Sequence, residues 1–126
     1  LAARGDAPTI LKECGTDLSK VRSGALAKAI RNGDSKVEDV VRKAAYYTGV
    51  AVANMINAVS PEAVVLGGGL VEALPELYLD EVQRAVKYHA MPFLRKGVRI
   101  LPAKLGDDAV AMGAAHLMAE KLAEAR

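Results

Sequence analysis

Tryptophan is absent from the 126-residue sequence, phenylalanine and cysteine occur once each, and aromatic residues reach only 4%. A core so poor in rings has to be packed from Ala, Val, Leu, Ile and Met, which suits helices lying closely on a small sheet. The single cysteine, Cys14, excludes an internal disulfide. The two histidines, His89 and His116, have no Cys or His at metal-ligand spacing, so no zinc motif is recognisable and no metal ligand is expected. No apolar run reaches the ~18 residues of a membrane span, and no secretory signal pattern is present. A cytoplasmic protein without a membrane partner is therefore expected. Charge of one sign is also scarce: 17 basic against 15 acidic residues leave a formal +2, too small a surplus to mark a nucleic-acid surface. What is present, 52% hydrophobic and 25% charged residues, fits a packed domain rather than a disordered chain. The length fits one domain or a piece of a larger one.

Residues 1–17 read as an irregular lead-in, because Gly5, Asp6, Pro8, Gly15 and Thr16 are turn formers and no period runs through them. Residues 18–31 read as a helix ended by Asn32-Gly33. A longer helix is expected over 35–59, opened by the capping box Ser35-x-x-Glu38. Its half from Gly49 to Val59 is apolar nearly all round and is expected to be buried on several sides. Asn54 and Asn57 fall in that half and are expected to bond neighbouring backbone, since a buried amide without a partner costs about 1–3 kcal/mol. Ala63-Val64-Val65-Leu66, bounded by Pro61 and Gly67, reads as a short buried parallel strand. A helix from Pro75 to Ala90 follows, then a strand over 98–103, a turn at Leu105–Asp108, and a last helix over 109–123 with Val110, Ala114, Leu117, Met118 and Leu122 as its inner stripe. The fold class is α/β: two parallel strands with flanking helices and a right-handed crossover. Two strands are too few for a sheet that stands alone, so further strands are expected from other chain.

The strand–Gly67-Gly68-Gly69 junction is the one feature with a ligand-binding rationale. It puts bare backbone at the carboxyl edge of a parallel sheet, where ligands of open α/β sheets bind; the plainer alternative is a tight turn that needs glycine. A dinucleotide fingerprint fits poorly, because Glu72 stands where its third glycine belongs and Lys104 where an acid should close the next strand; a phosphate loop is lacking as well. Asp107-Asp108, just ahead of a helix, read as cap and dipole partners rather than as an acid/base pair. No nucleophile–base pair stands out, so no catalytic residue is expected in this chain.

Gly49-Val-Ala-Val-Ala-Asn54, Ser60-Pro-Glu-Ala-Val-Val-Leu-Gly-Gly-Gly69, Leu105-Gly-Asp-Asp-Ala109 and Met112-Gly-Ala-Ala115 resemble, in order and spacing, successive blocks of the ROK family of bacterial sugar kinases and sugar-responsive repressors. The resemblance covers about residues 18–123 and implies the C-terminal portion of a glucokinase-like domain, part of one lobe of an actin-like ATPase fold of the ribonuclease H-like type. It implies ATP and Mg2+ as cofactors and a hexose as substrate in the complete protein. Gly67, Gly68 and Gly69 would line the adenosine side of the nucleotide site. The family's phosphate loop, catalytic Asp, zinc cluster and sugar-binding residues have no counterpart in this sequence, so the chain alone is not expected to phosphorylate sugar. A homo-oligomer, or contact with the missing lobe, is expected. The rivals are the C-terminal portion of a ROK repressor, with DNA as a partner in that case only, and a stand-alone oligomerisation module.

Overall fold

A computed structural model describes residue 1 and residues 4–124. The lead-in is not irregular throughout: Pro8–Cys14 is a helix, α1. Pro8 costs nothing in a first turn, where its missing N–H has no partner anyway. Ile10 and Cys14, one turn apart, are buried with Ala7, Ala29 and Val37. Two apolar positions are too short a run to show a period. The expected helix over 18–31 is split into a 3-10 turn, Leu18–Lys20, and α2, Ser23–Arg31. Asp17 opens the 3-10 turn, its Oδ1 accepting from the Ser19 amide at 3.0 Å and the Ser19 hydroxyl at 2.7 Å. The break follows at Val21 and Arg22, with Arg22 extended at φ −110° and ψ 171°. The side chain of Leu18 lies outside the described residues.

Helix α3, Ser35–Val59, forms as expected, but the capping box does not. Asp34 takes the N-cap position, and its Oδ2 accepts from the Thr9 amide at 3.1 Å, tying α1 to the start of α3. Glu38 turns outward to the Arg42 guanidinium at 2.8 Å. Val37, Val41, Ala45, Gly49, Val52, Ala53 and Ile56 form the buried stripe. The second half is open on one side rather than enclosed: Met55 and Val59 are 59% and 66% exposed. Asn57 bonds backbone as expected, donating to the His89 carbonyl at 3.2 Å and accepting from the Met91 amide at 2.8 Å. Asn54 is exposed. Ser60 stops the helix in the left-handed region at φ 46°.

Strand β1, Ala63–Leu66, is followed by the short helix α4, Gly69–Ala73, and by α5, Pro75–His89. A further short helix, α6, Pro92–Arg95, was not legible in the sequence. Strand β2, Arg99–Pro102, pairs parallel to β1 with Val64 opposite Ile100 and Val65 opposite Leu101. Helices α3 and α5 pack on each other, and Val52, Ala53, Ile56, Leu66, Val71, Val82, Val86 and Ala90 form the main core, with Val64 and Ile100 against it. They come close at Gly49, where a Cβ would lie 2.6 Å from the Ala85 Cβ and 2.6 Å from the Val82 carbonyl oxygen. Val65 and Leu101 face the other way and are exposed. A 3-10 turn, Gly106–Asp108, leads into α7, Ala109–Glu124. The stripe expected to face inward on α7 is uncovered: its described residues are all exposed, Val110 by 82%. Helical spacing identifies which side chains share a face, not what covers it.

Candidate functional site

The three glycines follow directly from the carboxyl end of β1 and are exposed. Two of the three are held there by different causes. Gly68, at φ 118° and ψ 160°, occupies backbone space open essentially to glycine alone. Gly69 is pressed on the start of α2, where a Cβ would come within 2.7 Å of the Ser23 hydroxyl. Gly67 has neither constraint, since its Cβ would meet only the Ala103 Cβ at 3.4 Å. Backbone conformation thus accounts for Gly68 and packing on Ser23 for Gly69, which leaves the bareness of Gly67 to be explained by something else.

Around the junction lies a cleft of about 280 Å³, bounded by Leu66 to Val71 on one side and by Thr48 and Tyr78 on the other. The Thr48 and Tyr78 hydroxyls are 2.9 Å apart, and Thr48 also donates to the Ala44 carbonyl at 3.2 Å. These two residues are absent from the sequence reading as site residues. Thirty positions separate them, and nothing in the chain says that α3 and α5 bring them together. The volume sits just below the range of about 300–1,000 Å³ for complete ligand pockets. It is lined by backbone, apolar side chains and two hydroxyls, with no charged side chain. Such a wall suits a flat uncharged group, such as a nucleoside, and not a polyphosphate. It also offers no carboxylate to a magnesium ion, which is held by one or two carboxylates together with substrate phosphates. The residues of this chain at the cleft therefore do not fit Mg2+.

The turn at Gly106 is drawn to the same end of the sheet: a Cβ there would lie 3.1 Å from Glu72 Oε1 on α4. Asp108 is exposed and its amide bonds the Leu105 carbonyl at 3.0 Å, consistent with a place at a helix start. The side chain of Asp107 lies outside the described residues. The histidines stand apart from the cleft. His89 Nε2 is 2.9 Å from the Tyr46 hydroxyl, and His116 is exposed on α7. Cys14 is buried, its thiol donating to the Lys20 carbonyl at 3.4 Å. Among the described residues no three His, Cys, Asp or Glu side chains gather as metal ligands.

An ion-pair network lies elsewhere, between α3 and α5. Glu81 is buried and accepts from Arg84 at 2.8 Å and from Arg42 at 3.0 Å. Burial alone would raise its carboxyl, but the hydrogen bonds from Arg84 and Arg42 prevail and hold it below the ordinary carboxylate value. Arg42 is raised in turn, by its bonds to Glu38 and Glu81. Arg84 also lies over the Tyr46 ring, 5.0 Å from its centroid. This network joins the two helices and serves packing.

Comparison with known proteins bears on what the cleft is for. A glucokinase of Halalkalibacterium halodurans is 35% identical over 88 residues, 70% of this chain but 26% of its own length. A xylose repressor of Bacillus spizizenii is 24% identical over 111 residues, 88% of this chain and 29% of its own length. Among solved structures, a ROK family glucokinase from Streptomyces griseus, in complex with glucose and AMPPNP, superposes with a TM-score of 0.75 at 26% identity over 92% of this chain and 37% of that one. A ROK family transcriptional regulator, a homologue of the E. coli MLC protein, shares the fold with a TM-score of 0.61 at 17% identity, covering 80% of this chain and 26% of that one. The chain thus spans between about a quarter and two-fifths of the relatives it matches. The family model for ROK proteins matches residues 6–121, and with the kinase and repressor relatives on either side of that match, the chain belongs to the ROK family.

Proposed function

We propose that this chain is the C-terminal, nucleotide-side portion of an ATP-dependent sugar kinase with an actin-like fold. Its Gly67–Gly69 cleft would form the wall against the adenosine of ATP. The observation that carries this reading is the charge-free, backbone-lined cleft at the carboxyl end of β1, with Gly67 bare although neither conformation nor packing requires it. Two relatives support it: the glucokinase at 35% identity, and the glucokinase whose structure holds glucose and AMPPNP. In this reading Gly67–Gly69 and the Thr48–Tyr78 hydroxyl pair bind and orient the nucleoside. The phosphate loop, the base for the sugar hydroxyl and the Mg2+ ligands would come from chain outside this sequence. A hexose would be the acceptor, and self-association or contact with the missing lobe would cover the open faces of this portion. General-base help alone is worth about 10²–10⁴ in rate. The isolated chain with ATP, magnesium and a panel of hexoses is therefore expected to release no ADP above background in a coupled assay. Turnover at an ordinary kinase rate would place the active site within these residues instead.

The cleft is tested in the protein as encoded by its own gene. Gly68→Ala and Gly68→Val both strain the backbone, by about 1–3 kcal/mol, the β-branched valine more than alanine. No atom lies within 4 Å of a Cβ at this position, so the side chain enters open space beside the cleft. The two variants differ in bulk and in strain, so they are compared at a temperature where the melting curves of both show a folded protein. Gly68→Val is expected to raise the ATP Michaelis constant roughly 5- to 100-fold over Gly68→Ala, with sugar binding in the absence of nucleotide unchanged. Asp108→Asn, a helix-end charge worth about 0.3–1 kcal/mol, is expected to cost modest stability only. Equal ATP affinity in the two glycine variants, or loss of turnover in a folded Asp108→Asn protein, would remove the cleft from the nucleotide site.

The repressor reading has its own support in the xylose repressors, which match 88% and 86% of the chain. It predicts sugar-dependent DNA binding by the whole protein and no ADP release. The same coupled assay and a DNA-binding titration separate the two.

A further inference from the structure

A second cavity, of about 460 Å³, lies between α5, α6 and β2, and none of the cleft residues lines it. Lys87, Arg95 and Lys96 enter it from three positions, with Gln83 one turn before Lys87; Val86, Pro92 and Ile100 complete the lining. No acidic residue lines it. Among the described residues none of the three cations has an ion-pair partner, and Nη1 of Arg95 is buried without any hydrogen-bond acceptor. Lys87 in the last turn of α5 is accounted for by the helix dipole. The buried guanidinium nitrogen of Arg95 is not. Leaving a charged donor unsatisfied is costly, and the half-buried Arg42 shows the usual solution in this chain, since it is met by Glu38 and Glu81.

We propose that this cavity is a binding site for a small phosphate monoester or free phosphate. The Arg95 guanidinium, turned so that the enclosed Nη1 reaches the cavity, finds there the acceptor it lacks, and Lys87 and Lys96 balance the second negative charge. Three cations without an acid suit an anion carrying about −1.5 to −2 charges, as phosphate does near neutral pH, better than a carboxylate. The planar fork of arginine matches phosphate oxygens two at a time. The volume accommodates more than the anion, and Val86, Pro92 and Ile100 give a carbon body an apolar surface to lie on.

The test is calorimetric titration of the protein as encoded by its own gene with inorganic phosphate, with glycerol 3-phosphate, and with glycerol as the uncharged blank. Both phosphates are expected to bind and glycerol is not. Tighter binding of the ester identifies a phosphate monoester as the ligand, and equal binding identifies free phosphate. Arg95→Met is expected to weaken both about ten- to a hundredfold, while the melting temperature of the unliganded protein stays level or rises, because an unsatisfied buried donor has been removed. Should Arg95→Met fail to fold, the double variant Lys87→Gln, Lys96→Gln is expected to weaken phosphate binding as well. Binding of unchanged affinity and stoichiometry in either variant belongs to another site and overturns the proposal. So does an absence of binding. A marked fall in melting temperature of Arg95→Met without phosphate binding also overturns it, by assigning the guanidinium an acceptor within the protein itself.

Discussion

Glu81 shows how a single carboxylate ties the outer sides of two helices. It is buried, yet its partners Arg42 and Arg84 are 40% and 66% exposed on their side chains. Solvent screening therefore keeps the network from the value of a fully buried pair. Glu81→Gln is expected to cost about 1 kcal/mol at neutral pH, read by chemical denaturation. Because Arg84 and Arg42 hold the folded carboxyl below its unfolded value, its contribution is complete above the unfolded value. It fades as pH falls through the lowered folded one. The difference between wild type and Glu81→Gln should therefore shrink as the pH is taken down through the acid range. A difference that grew on acidification would reverse the sign of the shift. None of this was legible in the sequence, where Glu81 is one acid among polar neighbours. Arg42 and Glu81 are 39 positions apart, and only the crossing of α3 and α5 makes them partners. Gly67–Gly69 were legible as bare backbone after a strand, because composition alone states that. The separate reasons for Gly68 and Gly69 needed backbone angles and the position of Ser23.

At the scale of elements, periodicity read α3, α5, β1 and β2 closely, because each has enough apolar positions to reveal a repeat of 3.6 or a short continuous run. It failed where local chemistry outweighs repeat. The helix expected over 18–31 is interrupted at Val21 and Arg22, where Arg22 is extended and the run restarts at Ser23. Asp34 displaces Ser35 as the N-cap because a longer-range partner, the Thr9 amide, is at hand. The α3–α5 contact gives the sharpest test of packing. A Cβ at Gly49 would lie within 3.0 Å of Val82 backbone atoms, 2.6 Å from the carbonyl oxygen and 2.9 Å from Cα. Backbone cannot rotate aside as a side chain can, so the helices must separate. Gly49→Ala is expected to destabilise by about 1–3 kcal/mol in thermal or chemical unfolding, although alanine is the better helix former by about 1 kcal/mol. A variant as stable as the parent would mean that the helices slide apart without loss.

For the whole molecule, the apolar side chains left in solvent lie on identifiable surfaces: Val65 and Leu101 on one sheet face, Met55 and Val59 on α3, and Val110, Leu117, Met118 and Leu122 on α7. Exposed patches beyond a few hundred Å² mark contact surfaces. The chain expressed alone is accordingly expected to bind an apolar dye and to self-associate in sedimentation. A clean monomer at high concentration that binds no dye would count against it. The core, by contrast, closes around α3 and α5, which are fastened at three places along α3. Arg42 bonds Glu81 near one end, Gly49 admits the backbone of Val82 in the middle, and Asn57 grips the His89 carbonyl and the Met91 amide near the other end. Two rods pinned at three points act mechanically as a plate. Thr48 and Tyr78, one from each rod, stand beside the middle pin, so the hydroxyl side of the glycine cleft has no hinge of its own. Whatever closes over that cleft does so against a stiff anvil, and any motion of this wall is a rotation of the two helices together.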